Sequence, residues 1–390
     1  MIALFLLSVG FCAYTLFVYP LLLGLLARWR ARPVRKAAWS ATVSVILPVH
    51  NGERWMAAKL ESILALHYPA ELVEILVVSD GSTDSTETIV RGFTDRAKIE
   101  FLAVPKGGKA AALNTALERG TGEILFFTDV RQELHRDSLA NLIACFADPQ
   151  VGVASGELVI RDGAGHEEES VGLYWKYEKW IRKQLSHLDS MPGATGCIYA
   201  MRRELASPLP EGTLNDDMYL PLGAFFEGYR VIMDDSALAF DYPTPLAAEF
   251  RRKVRTLAGV YQIVGSYPAL LGPGNRMWIH FVSHKLARLL MPWAMIVAAV
   301  AAFGLPAPWK FWAIGVQAFA YAMALADAWL PANFPLKRLT SPLRTFAVLM
   351  TASLCALAIL FVPARVLWKE TRVSGAHGKH PGTVGESGKV

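Results

Sequence analysis

The chain has 390 residues, 53% of them hydrophobic and 19% charged, with a formal net charge of +5. That is apolar for a wholly soluble protein. So small a charge, concentrated beside apolar runs, points to anionic lipid headgroups and phosphates and away from nucleic acid, for which no basic-plus-aromatic motif is present. Cys12, Cys145, Cys197 and Cys355 form no CxxC pair, so neither a zinc site nor a disulfide framework is expected.

Residues 1–27 carry no charged side chain and are long enough to cross a hydrocarbon core of about 30 Å. Arg28, Arg30, Arg32, Arg35 and Lys36 follow at once. A cleaved signal needs its basic region before the apolar run, so a retained anchor is expected. Three more apolar stretches lie at about 289–307, 311–330 and 345–368. The bias of Lys and Arg to the cytoplasmic side places residues 28–288 in the cytoplasm, with Lys337, Arg338 and Arg344 on the same side. Lys369, Arg372, Lys379 and Lys389 run against this topology, because a fourth crossing leaves the tail outside. The expected division is an anchor at 1–27, a basic linker at 28–41, an α/β domain at 42–245, interfacial helices at 246–288, three transmembrane helices at 289–368 and a disordered tail at 369–390.

Between about 40 and 245, short β-branched runs alternate with amphipathic stretches, the pattern of βαβ units around a mostly parallel sheet. The runs Val43–Leu47, Ile75–Val78 and Ile124–Phe127 are each followed by polar residues, namely Pro48 to Asn51, Ser79 to Gly81, and Thr128 with Asp129. In open α/β sheets ligands bind at the carboxyl ends of the strands, so these clusters should converge. Asp84 and Glu87 have the spacing of an acidic capping box. Residues 161–170 read as a polar loop, and 173–188 as an amphipathic helix rich in aromatic and basic residues. Such a helix suits a bilayer interface, and equally suits packing on its own sheet.

Six segments carry candidate chemistry. Asp80, at a strand end, can accept a hydrogen bond from a base or ribose, although Asp-Gly is also a common turn. Asp129 can bind a divalent cation that neutralises a diphosphate, but the residue two positions on, where a second ligand would stand, is Arg131. Lys106-Gly107-Gly108-Lys109 opens a helix and either allows close approach of phosphate or is a Gly-Gly turn with solvated lysines; no Lys-Ser/Thr follows the glycines, so it is not a Walker A loop. Asp216 and Asp217 are adjacent acids before an apolar helix. Their repulsion raises one pKa toward that of a general base, and capping explains one of them but not both. Arg251 to Arg255 either flanks the spans or holds phosphate. The glycine-rich bend Gly193 to Gly196 either admits an acceptor or is a turn.

Taken in order, these segments resemble the family 2 inverting glycosyltransferases of GT-A fold, especially the membrane-bound members that include cellulose, chitin, hyaluronan and poly-N-acetylglucosamine synthases. The resemblance covers roughly residues 42–260. It implies a Rossmann-like, mostly parallel α/β domain flanked by transmembrane helices, in the cytoplasmic membrane with its catalytic domain inside. It further implies that Pro48, His50 and Glu53 belong to the nucleotide-binding opening segment, that Asp80 contacts the base, and that Lys109 and Asn114 lie near the donor. Asp129 then stands as the first acid of a DxD motif holding Mg2+ or Mn2+. Gly193, Thr195 and Gly196 form the acceptor-side turn, Asp217 is the general base beside Asp216, and Arg252 and Arg255 occupy the place of QxxRW.

Two departures carry consequences. Arg131 replaces the second DxD acid, which removes a metal ligand and sets a guanidinium where it can neutralise diphosphate. The QxxRW place lacks Gln and Trp, ending at Thr256, which favours transfer of one or a few sugars over processive synthesis. The expected partners are a nucleotide-sugar, a UDP-sugar above others, a carbohydrate or lipid-linked acceptor, and the bilayer. Two other readings stand beside this one: transfer onto polyprenyl phosphate, and a nucleotide-binding transporter or scaffold without catalysis. Against the last, the apolar stretches hold almost no ionisable residue beyond Asp327.

Overall fold

The computed structural model describes residues 1–160, 166–242, 246–331 and 334–369. The polar loop expected at 161–170 falls partly outside these residues, and the disordered tail expected at 369–390 almost wholly so.

Helix α1, Ile2–Trp29, is followed by an extended segment into the sheet. Strand β1 (Val43–Val49) leads to helix α2 (Glu53–Leu64), β2 (Val73–Asp80) to α3 (Thr86–Arg91), and β3 (Ile99–Val104) to α4 (Lys109–Arg119). Then come β4 (Ile124–Thr128), β5 (Glu133–Leu134), α5 (Ser138–Ala144), β6 (Val151–Ile160), α6 (His166–Leu188), β7 (Ile198–Arg202), α7 (Asp216–Phe226), β8 (Arg230–Asp241) and α8 (Leu246–Ser266). The order in the single eight-stranded sheet is β3-β2-β1-β4-β7-β6-β8-β5. Strands β1 to β4 run parallel, β7 is antiparallel to β4 and β6, and β8 returns parallel to β6.

The unbroken apolar runs of β1 and β4 follow from burial on both faces. Side chains alternate across the sheet, so Leu125 and Phe127 enter one core layer with Leu185 and Leu220 while Ile124 and Phe126 enter the other with Leu60 and Leu142. Tyr19 and Leu23 of α1 belong to the first layer, so the apolar amino-terminal helix is partly built into the domain. The strand order reverses between β1 and β4. Their carboxyl ends, with that of β2, open the crevice that such a switch point creates.

The amphipathic helix α6 packs on its own sheet at its carboxyl-terminal turns and meets α1 one turn earlier. Ile181 and Leu185 are buried in the domain core, while Tyr177 donates a hydrogen bond to Leu16 O of α1 and Trp180 is 41% exposed. The basic linker is latched to the domain: Lys36 pairs with Asp234 at 2.8 Å and Arg32 lies 3.7 Å from Asp189. No capping box forms at α3. Asp84 instead accepts from Thr86 N and Glu53 N, and Glu87 pairs with Arg91 one turn on.

Among the described residues, four helices are long and apolar enough to cross a membrane: α1, α9 (Trp278–Ala302), α10 (Trp309–Trp329) and α11 (Lys337–Leu360). A short α12, Ala364–Lys369, follows. Helix α9 starts well before the expected 289, which brings His280, His284, Lys285 and Arg288 into an apolar helix; ionisable residues there are not limited to Asp327. Helices α6 and α8 pack on α11, and α1 packs on α9, where Tyr14 Oη and Ser283 Oγ meet at 2.7 Å.

Candidate active site

A cleft of about 1210 Å³ opens at the carboxyl ends of β1, β2 and β4 and runs toward the apolar helices. Pro48, His50, Asp80, Lys109, Asp129, Arg131, Gly193, Thr195, Gly196, Asp217, Arg252 and Arg255 all line it. The fold thus gathers segments that lie far apart in sequence.

Asp80 organises the cleft at the end of β2. Its Oδ1 accepts from Gly107 N at 2.7 Å and from Gly108 N at 2.9 Å, folding the glycine loop over the strand end. Gly108 has φ +88°, a conformation that favours glycine, and it starts α4 with its amino end at the cleft. His50 Nδ1 donates to Asp80 O at 2.6 Å, leaving Nε2 to accept from Lys106 Nζ at 3.3 Å.

Lys109 sits at the centre of the charges, with Nζ 3.1 Å from Asp129 Oδ1 and 3.1 Å from Asp216 Oδ2. Burial opposes its charge, but Asp129, Asp216 and Asp217 overcome that and hold the lysine protonated well above its ordinary range. Asp216 is buried against this ammonium and does not line the cleft, whereas its neighbour does. Burial, then the adjacent Asp216 charge, push the Asp217 carboxyl up to about 6, against the opposing pull of Lys109 and Arg182. A buried carboxyl in that range can take a proton from a hydroxyl near neutral pH.

The glycine bend exists to fit Asp217. A Cβ on Gly196 would stand 3.1 Å from Asp217 Oδ2, and one on Gly193 would stand 2.6 Å from Met218 Cγ. Ala194 N donates to Asp217 O at 2.6 Å, and Thr195 ties the bend to β6 through Ser155 Oγ and Gly156 O, each at 2.8 Å.

Arg131 does not project freely at the diphosphate place. It pairs with the buried Asp241, whose Oδ2 also accepts from Gln132 Nε2 at 2.8 Å. Arg252 pairs with Glu249 at 2.5 Å and lies over the Trp175 ring, 5.0 Å from its centroid. Arg255 is held among Asp216, Asp217 and Asp129; burial dominates and lowers its pKa.

Glu53 and Asn114 stand apart from the cleft. Glu53 accepts from Ser85 N at 3.1 Å, and Asn114 clamps Leu209 through its N–H and C=O at 2.7 and 2.9 Å. Both anchor neighbouring loops.

Sequence reasoning missed Lys59. It is buried beneath the β4 turn and donates to Thr128 Oγ1 and Gln132 O, both at 2.6 Å, while Thr128 passes the chain on to Cys197 O at 2.9 Å. Burial lowers its pKa to about 7. Its one sequence signal is its place on the apolar face of α2, beside Met56, Leu60 and Ile63. The cations of α9 were missed too, because the helix was started too late.

Residues 44–209 match the family described as Glycosyl transferase family 2. The match runs from β1 through β7 of the α/β domain. Over 242 residues the chain is 23% identical to the probable glycosyltransferase YdaM of Bacillus subtilis, covering 57% of this chain and 56% of that protein. It is 33% identical over 118 residues to the glycosyltransferase AglE of Haloferax volcanii, covering 30% and 39% respectively. The chain therefore spans only about half the length of such curated relatives, or less. Among solved structures, the mannosyltransferase PcManGT of Pyrobaculum calidifontis, in complex with GDP-Man and Mn2+, superposes with TM-score 0.71 at 25% identity, over 92% of this chain and 99% of that one. The fold of the α/β domain is GT-A.

The fold family implies a divalent cation. Among the described residues no group of three or more His, Cys, Asp or Glu side chains could hold one. Asp129 remains, 38% exposed at its side chain and lining the cleft, and Mg2+ commonly takes only one or two carboxylates with the rest of its shell from substrate phosphates and water. The residues fit an ion brought with the donor, not a preformed site.

Proposed function

We propose that the chain is a membrane-embedded, inverting glycosyltransferase that moves a sugar from a nucleoside-diphosphate sugar to an acceptor presented at the cytoplasmic face of the bilayer. The observation that carries this reading is Asp217, a carboxyl raised to about 6 that lines the same cleft as Asp80 and Asp129.

Asp80 and the amino end of α4 receive the nucleotide and its phosphates. Asp217 accepts the proton of the acceptor hydroxyl, and that oxygen forms a bond to the anomeric carbon. On the opposite side the bond to the diphosphate oxygen breaks, and the diphosphate leaves with the electron pair, inverting the centre. Arg255 and Lys109 offset the charge that develops. A bound Mg2+ or Mn2+, held by Asp129, would add charge neutralisation at the diphosphate. General base catalysis of this kind contributes about 10² to 10⁴ in rate.

The test is release of nucleoside diphosphate by the full-length protein in detergent, across UDP- and GDP-sugars, with and without chelator, and the anomeric configuration of the product by NMR. Retained configuration, or no release from any donor, would sink the reading. A second reading, transfer onto the phosphate of a polyprenyl phosphate, is favoured by the basic residues that line the membrane end of the cleft. A phosphate oxygen is already ionised and needs no base, so Asp217→Asn would retain transfer there.

A further inference from the structure

The cleft continues past Asp217 to the apolar helices, where Leu16, Met291, Phe346 and Leu349 line it. Between these two ends stand Arg182, Lys253, His284, Lys285 and Arg288. Glu178 is the carboxylate among the cations of α9, with Oε1 3.2 Å from His284 Nε2 and 3.7 Å from Lys285 Nζ, and with Oε2 paired to Arg288. Lys253 has its own partner in Glu249 at 3.8 Å. Glu178 thus balances one of the two cations Lys285 and Arg288, and Arg182, which also faces Asp217, donates from its guanidinium to Gly193 O at 3.3 Å.

These groups are sheltered: the side chains of Lys285, Arg288 and His284 are 23%, 16% and 1% exposed. Arg288 Nη2 is buried with no hydrogen-bond partner among the described residues. Excess positive charge and an unmade N–H bond in a sheltered site are costly unless an anion completes them. The backbone of α9 widens at this point into a π turn, Val282–Leu286, which presents His284 and Lys285 to the cleft.

We propose that Lys285, Arg288 and Arg182 hold the phosphate of a lipid-linked acceptor, its hydrocarbon chain lying among α8, α9 and α11 and the reacting hydroxyl of its head group directed to the Gly193–Gly196 bend and Asp217. A neutral glycan would leave the charge excess unanswered. Arginine and lysine answer a phosphate with several charge-assisted bonds. The shape of the cleft agrees, since it joins this cluster to apolar side chains of the helices on one side and to the glycine bend on the other. This assignment rests on the glycosyltransferase reading above and names its acceptor class.

The experiment measures binding of farnesyl phosphate and of farnesol to the full-length protein in detergent, with UDP and GDP affinity as the check that the donor half is intact. Farnesyl phosphate should bind at least tenfold more tightly than farnesol. Lys285→Gln should weaken farnesyl phosphate tenfold or more, and Arg288→Lys, which keeps the pair with Glu178, should weaken it less. Equal binding of the two probes, or no effect of Lys285→Gln, overturns the site. Displacement of farnesyl phosphate by phosphatidylglycerol at equal concentration also overturns it, since the cluster would then hold bulk lipid. Phosphate-selective binding with no sugar transfer would leave the site standing and remove the enzyme reading. Transfer to a neutral oligosaccharide without phosphate selectivity would do the reverse.

Discussion

The ammonium of Lys109 lies 3.1 Å from the carboxylate of Asp129. Its equal approach to Asp216 joins Asp129 at the end of β4 to the acid pair of α7. Where a second DxD acid would concentrate negative charge for a metal, this chain has drawn a lysine in among its acids. Lys109→Gln should therefore do two things. Activity at pH 7 should fall about 100-fold, as for loss of one preorganised charged donor. Because Lys109 pulls the Asp217 pKa down, its removal should also move the acid limb of the pH–rate profile upward from about 6. An unmoved limb would separate Lys109 from Asp217.

Asp217 must be ionised to accept a proton. With its pKa at about 6, kcat/KM should be flat above neutrality and fall toward tenfold per pH unit below about 6. Asp217→Asn should lower transfer by about 10² to 10⁴ while nucleotide affinity stays within about twofold. Steady-state kinetics beside nucleotide titration checks this pair of expectations. A pH profile unchanged in the variant would assign the limb to another group.

Arg131 and Asp241 form a partly buried pair, with side chains 29% and 4% exposed. Removing one partner of such a pair leaves the other charge unmatched and costs about 3 kcal/mol. Arg131→Met should therefore lower thermal stability markedly, and the double change Arg131→Met with Asp241→Asn should recover most of it. If the single variant instead kept its melting temperature and lost only donor affinity, Arg131 would be a diphosphate ligand and not a strut.

Lys59 carries a pKa of about 7 against an ordinary 10.5, so between those values the unfolded chain binds a proton that the folded one does not. Stability must then rise with pH across that window. Lys59→Met should flatten this rise. It should also raise the donor KM about tenfold, the effect of one lost hydrogen bond of about 1.4 kcal/mol, because the β4 turn carrying Asp129 loses its tie to Thr128 and Gln132. Denaturation between pH 7 and 10 and donor kinetics report the two effects separately.

Periodicity and strand-end chemistry were enough to read the βαβ alternation, the crevice at the ends of β1, β2 and β4, and the cluster of Asp80, Asp129 and Asp217, because each is encoded within a few adjacent residues. What a side chain does after arriving is not encoded there. Glu53 and Asn114 sit in the right segments, yet each bonds to the backbone of a neighbouring loop. The partner of Arg131 lies at Asp241, and that of Glu178 at Arg288, separations of 110 residues that no local pattern spans.

The sequence by itself determined that an α/β domain lies beside several apolar helices and that its acids gather at one sheet edge, since hydrophobic period and turn chemistry are short-range physics. Only the tertiary structure decided which charges neutralise one another. It put Lys109 among the acids, gave Arg131 to Asp241, and brought the cations of α9 against α6 where the cleft meets the apolar helices. Coulomb energy and desolvation depend on distance and burial, and both are set only when distant segments pack.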